Sequence, residues 1–174
     1  MMHTVFDIET TMLGPNKSPS PYHHENFLVS VGWKCKSKYE GYVCIQHNEE
    51  PTTPDARDQI QFALDNTSVF IAHNVKFDLS WLLECGFTYD GDVYDTMIYE
   101  YLDAGGTYAD IDLSSSCIRH NLDVKFDSTK EYLKDGIGFE AMPWDVVKEY
   151  GIQDVRITWD LYWKQQELLN ATGT

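Results

Sequence analysis

Apolar and polar positions alternate at the start of the chain. Thr4-Val5-Phe6-Asp7-Ile8 reads as a strand with Val5 and Asp7 on one side and Phe6 and Ile8 on the other. Residues 14–26 are rich in Pro, Ser and His and read as a loop. Residues 27–35 and 39–46 alternate again, are rich in Val, Tyr and Trp, and predict two strands joined by a tight turn near Ser37-Lys38. The period then lengthens. Ile60 and Leu64 mark a helix over 54–66 that starts at Thr53-Pro54, and Val69-Phe70-Ile71-Ala72 is a short buried strand. Helical spacing follows over roughly 75–85, 95–103, 112–120, 143–149 and 151–169, with Gly86 and Gly105-Gly106 as stops. Three strands, a helix, a strand and then mainly helices make an α/β layer fold around a small mixed sheet. Repeats, low-complexity tracts and linkers are absent from the sequence.

Length makes this pattern one domain, residues 1–174, large enough to bury a core. The apolar runs are too short to span a bilayer, and Met1 to Phe6 lacks the basic start of a signal peptide. A cytoplasmic protein without a membrane partner is expected. Cys35, Cys44, Cys85 and Cys117 show no zinc spacing and read as reduced and mostly buried, although Cys35 and Cys44 fall where a hairpin could oppose them.

Charge complicates the picture. The net charge is −15, and between Lys76 and Arg119 there is no Lys or Arg. Proteins that hold nucleic acid through its phosphates are expected to be basic. Bound divalent cations would invert the local sign and answer part of that difficulty.

Candidate chemistry sits at the ends of the predicted elements. Asp7 and Glu9 share one side of the first strand, where two like charges repel and ask for a cation. Their oxygen ligands suit Mg²⁺ or Mn²⁺. The triplet alone is weak, since acid-x-acid arises roughly four times by chance in so acidic a chain. Asn74 stands at the N-cap of the helix that follows the 69–72 strand, and Asp78 lies one turn in on the same face. Taken alone, the pair reads equally well as a cap and a favourable dipole charge. Tyr150 and Asp154 are spaced i,i+4 and share a helix face, a pattern that packing also produces. His23-His24 read as a surface loop rather than a metal site. Trp159, Tyr162 and Trp163 read as core or a partner surface.

The three motifs in this order resemble the DEDD superfamily of 3′→5′ exonucleases, in its tyrosine (DEDDy) subgroup. That subgroup includes the proofreading domains of family A DNA polymerases and the ribonuclease D group. Phe6-Asp7-Ile8-Glu9-Thr10-Thr11 matches the first motif, Asn74 through Phe77-Asp78 the second, and Tyr150 with Asp154 the third. Asp95-Thr96-Met97-Ile98 matches a further family feature. The stretch 136–154, with Met142-Pro143-Trp144, is most similar to stand-alone phage exonucleases. One departure is Met12, where the family usually has Gly beside the incoming 3′ end.

The resemblance implies a ribonuclease H-like fold, a small mixed five-stranded sheet flanked by helices, and two divalent metal ions, Mg²⁺ or Mn²⁺. Asp7 would bridge them, Glu9 and Asp154 would hold the ion beside the attacking water, and Asp78 would support the second. Tyr150 would orient the water, because a phenol is a poor base at neutral pH. Main-chain groups of Thr10 and Thr11 would grip the 3′-OH, Leu13 would wedge against the terminal base, and Asn74 and Phe77 would line the substrate. Tyr22 is a further candidate for stacking, and Arg119, Lys125 and Lys130 for phosphate contact, although surface or core roles fit each of these as well.

The implied activity is release of mononucleotides from single-stranded DNA 3′ ends, in proofreading or end-processing with a separate DNA polymerase. The alternatives are an RNA 3′→5′ exonuclease resembling ribonuclease D and an inactive nucleic-acid-binding module.

Overall fold

The computed structural model describes residues 1–36, 39–107, 110–124 and 128–172. The expected turn at Ser37-Lys38 and the candidate Lys125 lie outside the described residues. Five strands form one mixed sheet: β1 (His3–Thr10), β2 (Leu28–Lys34), β3 (Glu40–Cys44), β4 (Val69–Ala72) and β5 (Asp92–Asp95), in the spatial order β3-β2-β1-β4-β5. β3, β2 and β1 are antiparallel, while β1, β4 and β5 run parallel. The helices are α1 (Ala56–Asp65), α2 (Val75–Glu84), α3 (Thr96–Asp103), α4 (Leu113–Arg119), α5 (Lys130–Lys134) and α6 (Trp144–Thr172).

The alternation read from β1 decides the layering. Phe6 and Ile8 enter the larger core, where Val31, Trp33, Phe70 and Trp81 meet Ile60 and Leu64 of α1. Val5 enters a second core with Ile71, Val155 and Tyr162, so the opposite face of the sheet is covered by α6. Asp7 and Glu9 share the Val5 side, and the first motif therefore faces α6.

Three elements differ from the sequence expectation. β5 is a four-residue edge strand whose first two residues are exposed, so it carries no alternation to read, and only the resemblance called for a fifth strand. α5 is five residues long with no buried side chain and has no apolar face to detect. The two helices expected around Gly151 are one helix of 29 residues. Gly151 does not break α6. It makes room: a Cβ there would fall 2.4 Å from Tyr42 Cε2.

Cys35 and Cys44 do not oppose each other. Cys44 pairs with Ser30 across β2 and β3, Cys35 N–H bonds Tyr39 O, and all four thiols are free. Tyr162 is buried, with its hydroxyl 2.5 Å from His3 Nδ1, whereas Trp163 is partly exposed. No helix among the described residues is long and apolar enough to cross a membrane.

Candidate active site

Asp7, Glu9 and Asp154 each bring a carboxylate oxygen within 4.8 Å of the other two. Asp7 and Glu9 come from β1 and Asp154 from α6. Glu9 and Asp154 are buried. Three converging carboxylates of which two are removed from water repel strongly, and the natural relief is a cation. Clustered hard oxygen donors fit Mg²⁺ or Mn²⁺.

Asp78 stands on the other side of the same strand segment. Parallel pairing of β1 with β4 ends at Val5 opposite Ile71. Beyond that point the Ile8 N–H donates to Asp78 Oδ1 at 3.2 Å, so the first turn of α2 continues where the ladder stops. Burial pushes the Asp78 carboxyl well above the usual carboxylate range. The Ile8 N–H opposes that shift, and the charges of Asp95 and Asp154 add to it. A cation beside it would remove much of that cost.

A row of residues across the sheet brings α6 to Asp7. Asp7 pairs with Gly32, and Gly32 pairs with Tyr42. A Cβ on Gly32 would lie 2.9 Å from Tyr42 Cδ2 and 3.3 Å from Val155 Cγ1, so the Tyr42 ring occupies a slot floored by Gly32 and capped by Gly151. Its hydroxyl accepts from Ser30 Oγ at 2.8 Å and donates to the Val147 carbonyl at 3.2 Å. Burial raises the Tyr42 phenol well above its ordinary value, helped by the charges of Glu9, Asp7 and Asp154. Tyr42 thus ties α6 to the sheet beside the carboxylates. The Tyr/Gly pairing that signals it lies in a hairpin register that the sequence alone leaves open.

Tyr150 sits one helical turn before Asp154, its ring 5.6 Å from that of Phe139. Thr10 and Thr11 are buried, and the Thr11 main-chain N–H is already given to Phe27 O at 3.1 Å, which removes it as a 3′-OH donor. A register shift in the β1–β2 pairing falls between Glu9 and Thr10 and turns the chain out of the sheet at this point. Leu13 emerges 48% exposed. Asn26, which the sequence reading did not single out, accepts from Leu13 N at 2.7 Å and donates to Ser18 O and Ser20 O at 2.8 and 2.9 Å. The 14–26 loop is therefore clipped to the end of β1 rather than loose.

Asn74 occupies the N-cap position of α2, but its side chain makes no capping bond and its backbone is left-handed, with φ 84°. The cap is Asp95. Its two oxygens accept from Asn74 N (3.0 Å) and Val75 N (2.9 Å), and Oδ1 also accepts from Met97 N (2.9 Å) at the start of α3. One carboxylate completes two helix beginnings. That is the physical content of the Asp95-Thr96 feature.

Arg119 is not a phosphate contact. It is paired with Glu100, whose carboxylate also takes His120 Nε2 and Gln165 Nε2, each at 2.7 Å. Lys130 opens α5. Phe77 packs partly on the core and partly lines an open cleft with Asn74 and Tyr22.

A family profile for the 3′-5′ exonuclease of DNA polymerase A type matches residues 6–170. A DNA polymerase of Bacillus phage SP01 is 30% identical over 176 residues, covering 90% of this chain, and the chain spans 19% of that polymerase's length. Among solved structures, Brucella melitensis NrnC bound to pGG has a TM-score of 0.67 at 22% identity, over 98% of this chain and 74% of that one. The same protein with bound Mg²⁺ gives 0.65 at 20% identity, over 98% and 75% of the two chains. The family B DNA polymerase of Pyrobaculum calidifontis gives 0.65 at 17% identity, over 97% of this chain and 24% of the polymerase. These likenesses share the ribonuclease H-like arrangement, a mixed five-stranded sheet flanked by helices.

Proposed function

The chain belongs to the 3′-5′ exonuclease family of DNA polymerase A type, and on that premise we propose that it releases mononucleotides from the 3′ ends of single-stranded DNA, working with a separate DNA polymerase. We take residues 1–174 as one exonuclease domain. The observation that carries the reading is the convergence of Asp7, Glu9 and Asp154 within 4.8 Å. The polymerase relative supports DNA as the substrate.

In this reading Asp7, Glu9 and Asp154 hold divalent metal, with Asp78 supporting a second ion from the α2 side. Paired Mg²⁺ or Mn²⁺ ions, when bound, supply an activated water and a stabilised leaving oxygen for phosphodiester hydrolysis. The protein's own part is positioning. Tyr150, on the helix face of Asp154, orients the attacking water through its hydroxyl. Leu13, exposed at the end of β1, meets the terminal base. The Thr10 main chain lies beside the 3′-OH, and Asn74 and Phe77 line the adjoining strand. Tyr42 keeps α6, and with it Asp154 and Tyr150, at a fixed height over Asp7.

The test is digestion of matched 5′-labelled DNA and RNA single strands with Mg²⁺, with Mn²⁺ and with EDTA. A metal-dependent ladder shortening from the 3′ end on DNA is the expected result, abolished by Asp7→Asn. Digestion that persists in EDTA or survives the substitution removes the two-metal assignment. A second reading has short RNA 3′ ends as the substrate, supported by the likeness to NrnC, solved with bound pGG. Faster shortening of the RNA strand would select it.

A further inference from the structure

One cleft beside the carboxylate site has a lining that the core does not explain. It has a volume of about 330 Å³ and lies between residues 18–22 and the first turns of α2, with Ser18, Ser20, Tyr22, Asn74, Lys76 and Phe77 among its walls. We infer that this cleft is the track for the single strand just upstream of the terminal nucleotide, with Tyr22 as the stacking face and Lys76 as the phosphate contact. The inference rests on the exonuclease reading and names the part of the strand that this chain grips.

Four observations lead there. First, the cleft is continuous with the carboxylates. Asn74 and Phe77 line it from the same turn of α2 that places Asp78 on Ile8 N. Second, its outer wall is built rather than slack. Asn26 holds the carbonyls of Ser18 and Ser20, and Trp81 Nε1 donates to Pro19 O at 2.8 Å. The Asn26 side chain that fixes this wall also fixes Leu13 N, so the two ends of the track are set by one residue.

Third, Tyr22 is 75% exposed between that wall and solvent. Proline precedes it at position 21 and restricts the backbone that presents it. An exposed ring held on a stiff loop is a stacking platform that accepts any base. Fourth, Lys76 lies in the first turn of α2, where a cation opposes the helix dipole. It is also the last Lys or Arg before Arg119, which is committed to Glu100. A positive charge kept at an unfavourable helix position in a chain of net charge −15 suits a phosphate. The volume lies in the range of small-ligand sites and is on the scale of one nucleotide.

The experiment reads binding without turnover. Anisotropy of labelled oligothymidylates of two to ten nucleotides is measured with the Asp7→Asn protein in Mg²⁺, alone and combined with Tyr22→Ala, Tyr22→Phe or Lys76→Ala. Tyr22→Ala is expected to weaken binding of the hexamer about tenfold, with a penalty that grows with length and is smallest on the dinucleotide. Tyr22→Phe, which keeps the ring, restores it. Lys76→Ala should flatten the salt dependence by about 0.7 in the slope of log K against log salt.

Equal affinity of Tyr22→Ala and its parent at every length overturns the proposal, as does a parent that binds no oligonucleotide. Tyr22-dependent binding by a chain that degrades neither DNA nor RNA keeps the track and rejects the exonuclease reading instead. A Tyr22-dependent preference for a polymerase partner over DNA would mark a protein-docking face and also overturn it.

Discussion

The helix α6 touches two groups of buried carboxylates that are built in opposite ways. Near its start, Asp154 meets Asp7 and Glu9, and the three acids converge on one another. Four turns or so further on, Gln165 reaches Glu100, whose single carboxylate is ringed by donors: Arg119, His120 and the Gln165 amide. Both places lie in the low-dielectric interior, where an uncompensated charge is costly. At Glu100 the chain supplies the compensation from α4 and α6. At Asp7 it instead adds acids of the same sign. A fold that can surround a buried glutamate with partners has the means to neutralise a carboxylate, so the cluster on β1 is arranged for a charge the chain does not itself provide. The two regions separate a carboxylate that stabilises the protein from carboxylates that serve chemistry.

The contrast can be broken most decisively at Asp7. Asp7→Asn is expected to lower metal-dependent digestion by about 10³-fold or more, because ligand loss acts on the reaction barrier directly. The metal-free melting temperature should hold or rise as like-charge repulsion is relieved. A clear drop in that temperature would place Asp7 in the same class as Glu100.

Next in size, Glu100→Ala should destabilise the fold by about 3 kcal/mol, since it leaves Arg119 and His120 facing an emptied site. Urea unfolding measures this, and the folded fraction should keep its kcat. Third, Mg²⁺ or Mn²⁺ at about 100 times its dissociation constant should stabilise the wild type by about 2.7 kcal/mol. Glu100→Ala should retain that gain and Asp7→Asn should lose it. A gain that follows Glu100 rather than Asp7 would reverse the assignment of the two regions.

The smallest effect belongs to the residue that links sheet and helix. Tyr42→Phe removes one hydroxyl with two partners, at a cost of about 1 kcal/mol in stability. It should cost roughly tenfold in kcat with little change in KM, because Asp154 and Tyr150 shift relative to Asp7. Unchanged kcat would mean that α6 is positioned by its apolar contacts alone.

Much of this was legible in the sequence. The alternation around Asp7 assigned Phe6 and Ile8 to one core and the acids to the other face, and the structure keeps that division. The strands through β4 and the starts of α2 and α3 followed from period and punctuation. What escaped detection depends on pairings between distant segments. β5 is too short and exposed to carry a pattern. Gly151 read as a helix break because its partner, the Tyr42 ring, is contributed by β3. Arg119 read as a surface cation because nothing local points to Glu100 nineteen residues earlier. Asn74 read as a cap on propensity, while the bonds to the start of α2 come from Asp95 across the sheet. Local chemistry was visible, and the long-range partners that decide its use were not.

The span between the acids has a kinetic corollary. β1 and the stretch of α6 that bears Asp154 are separated by almost the whole described chain, so their meeting closes a very long loop. Local helices form in microseconds, whereas such distant closures come late in folding. A refolding chain should therefore recover its circular-dichroism signal well before its ability to degrade DNA. Species that hold β1 through β5 but have not yet docked α6 lack the third carboxylate, so a partly folded nuclease of this design is harmless to the nucleic acid around it.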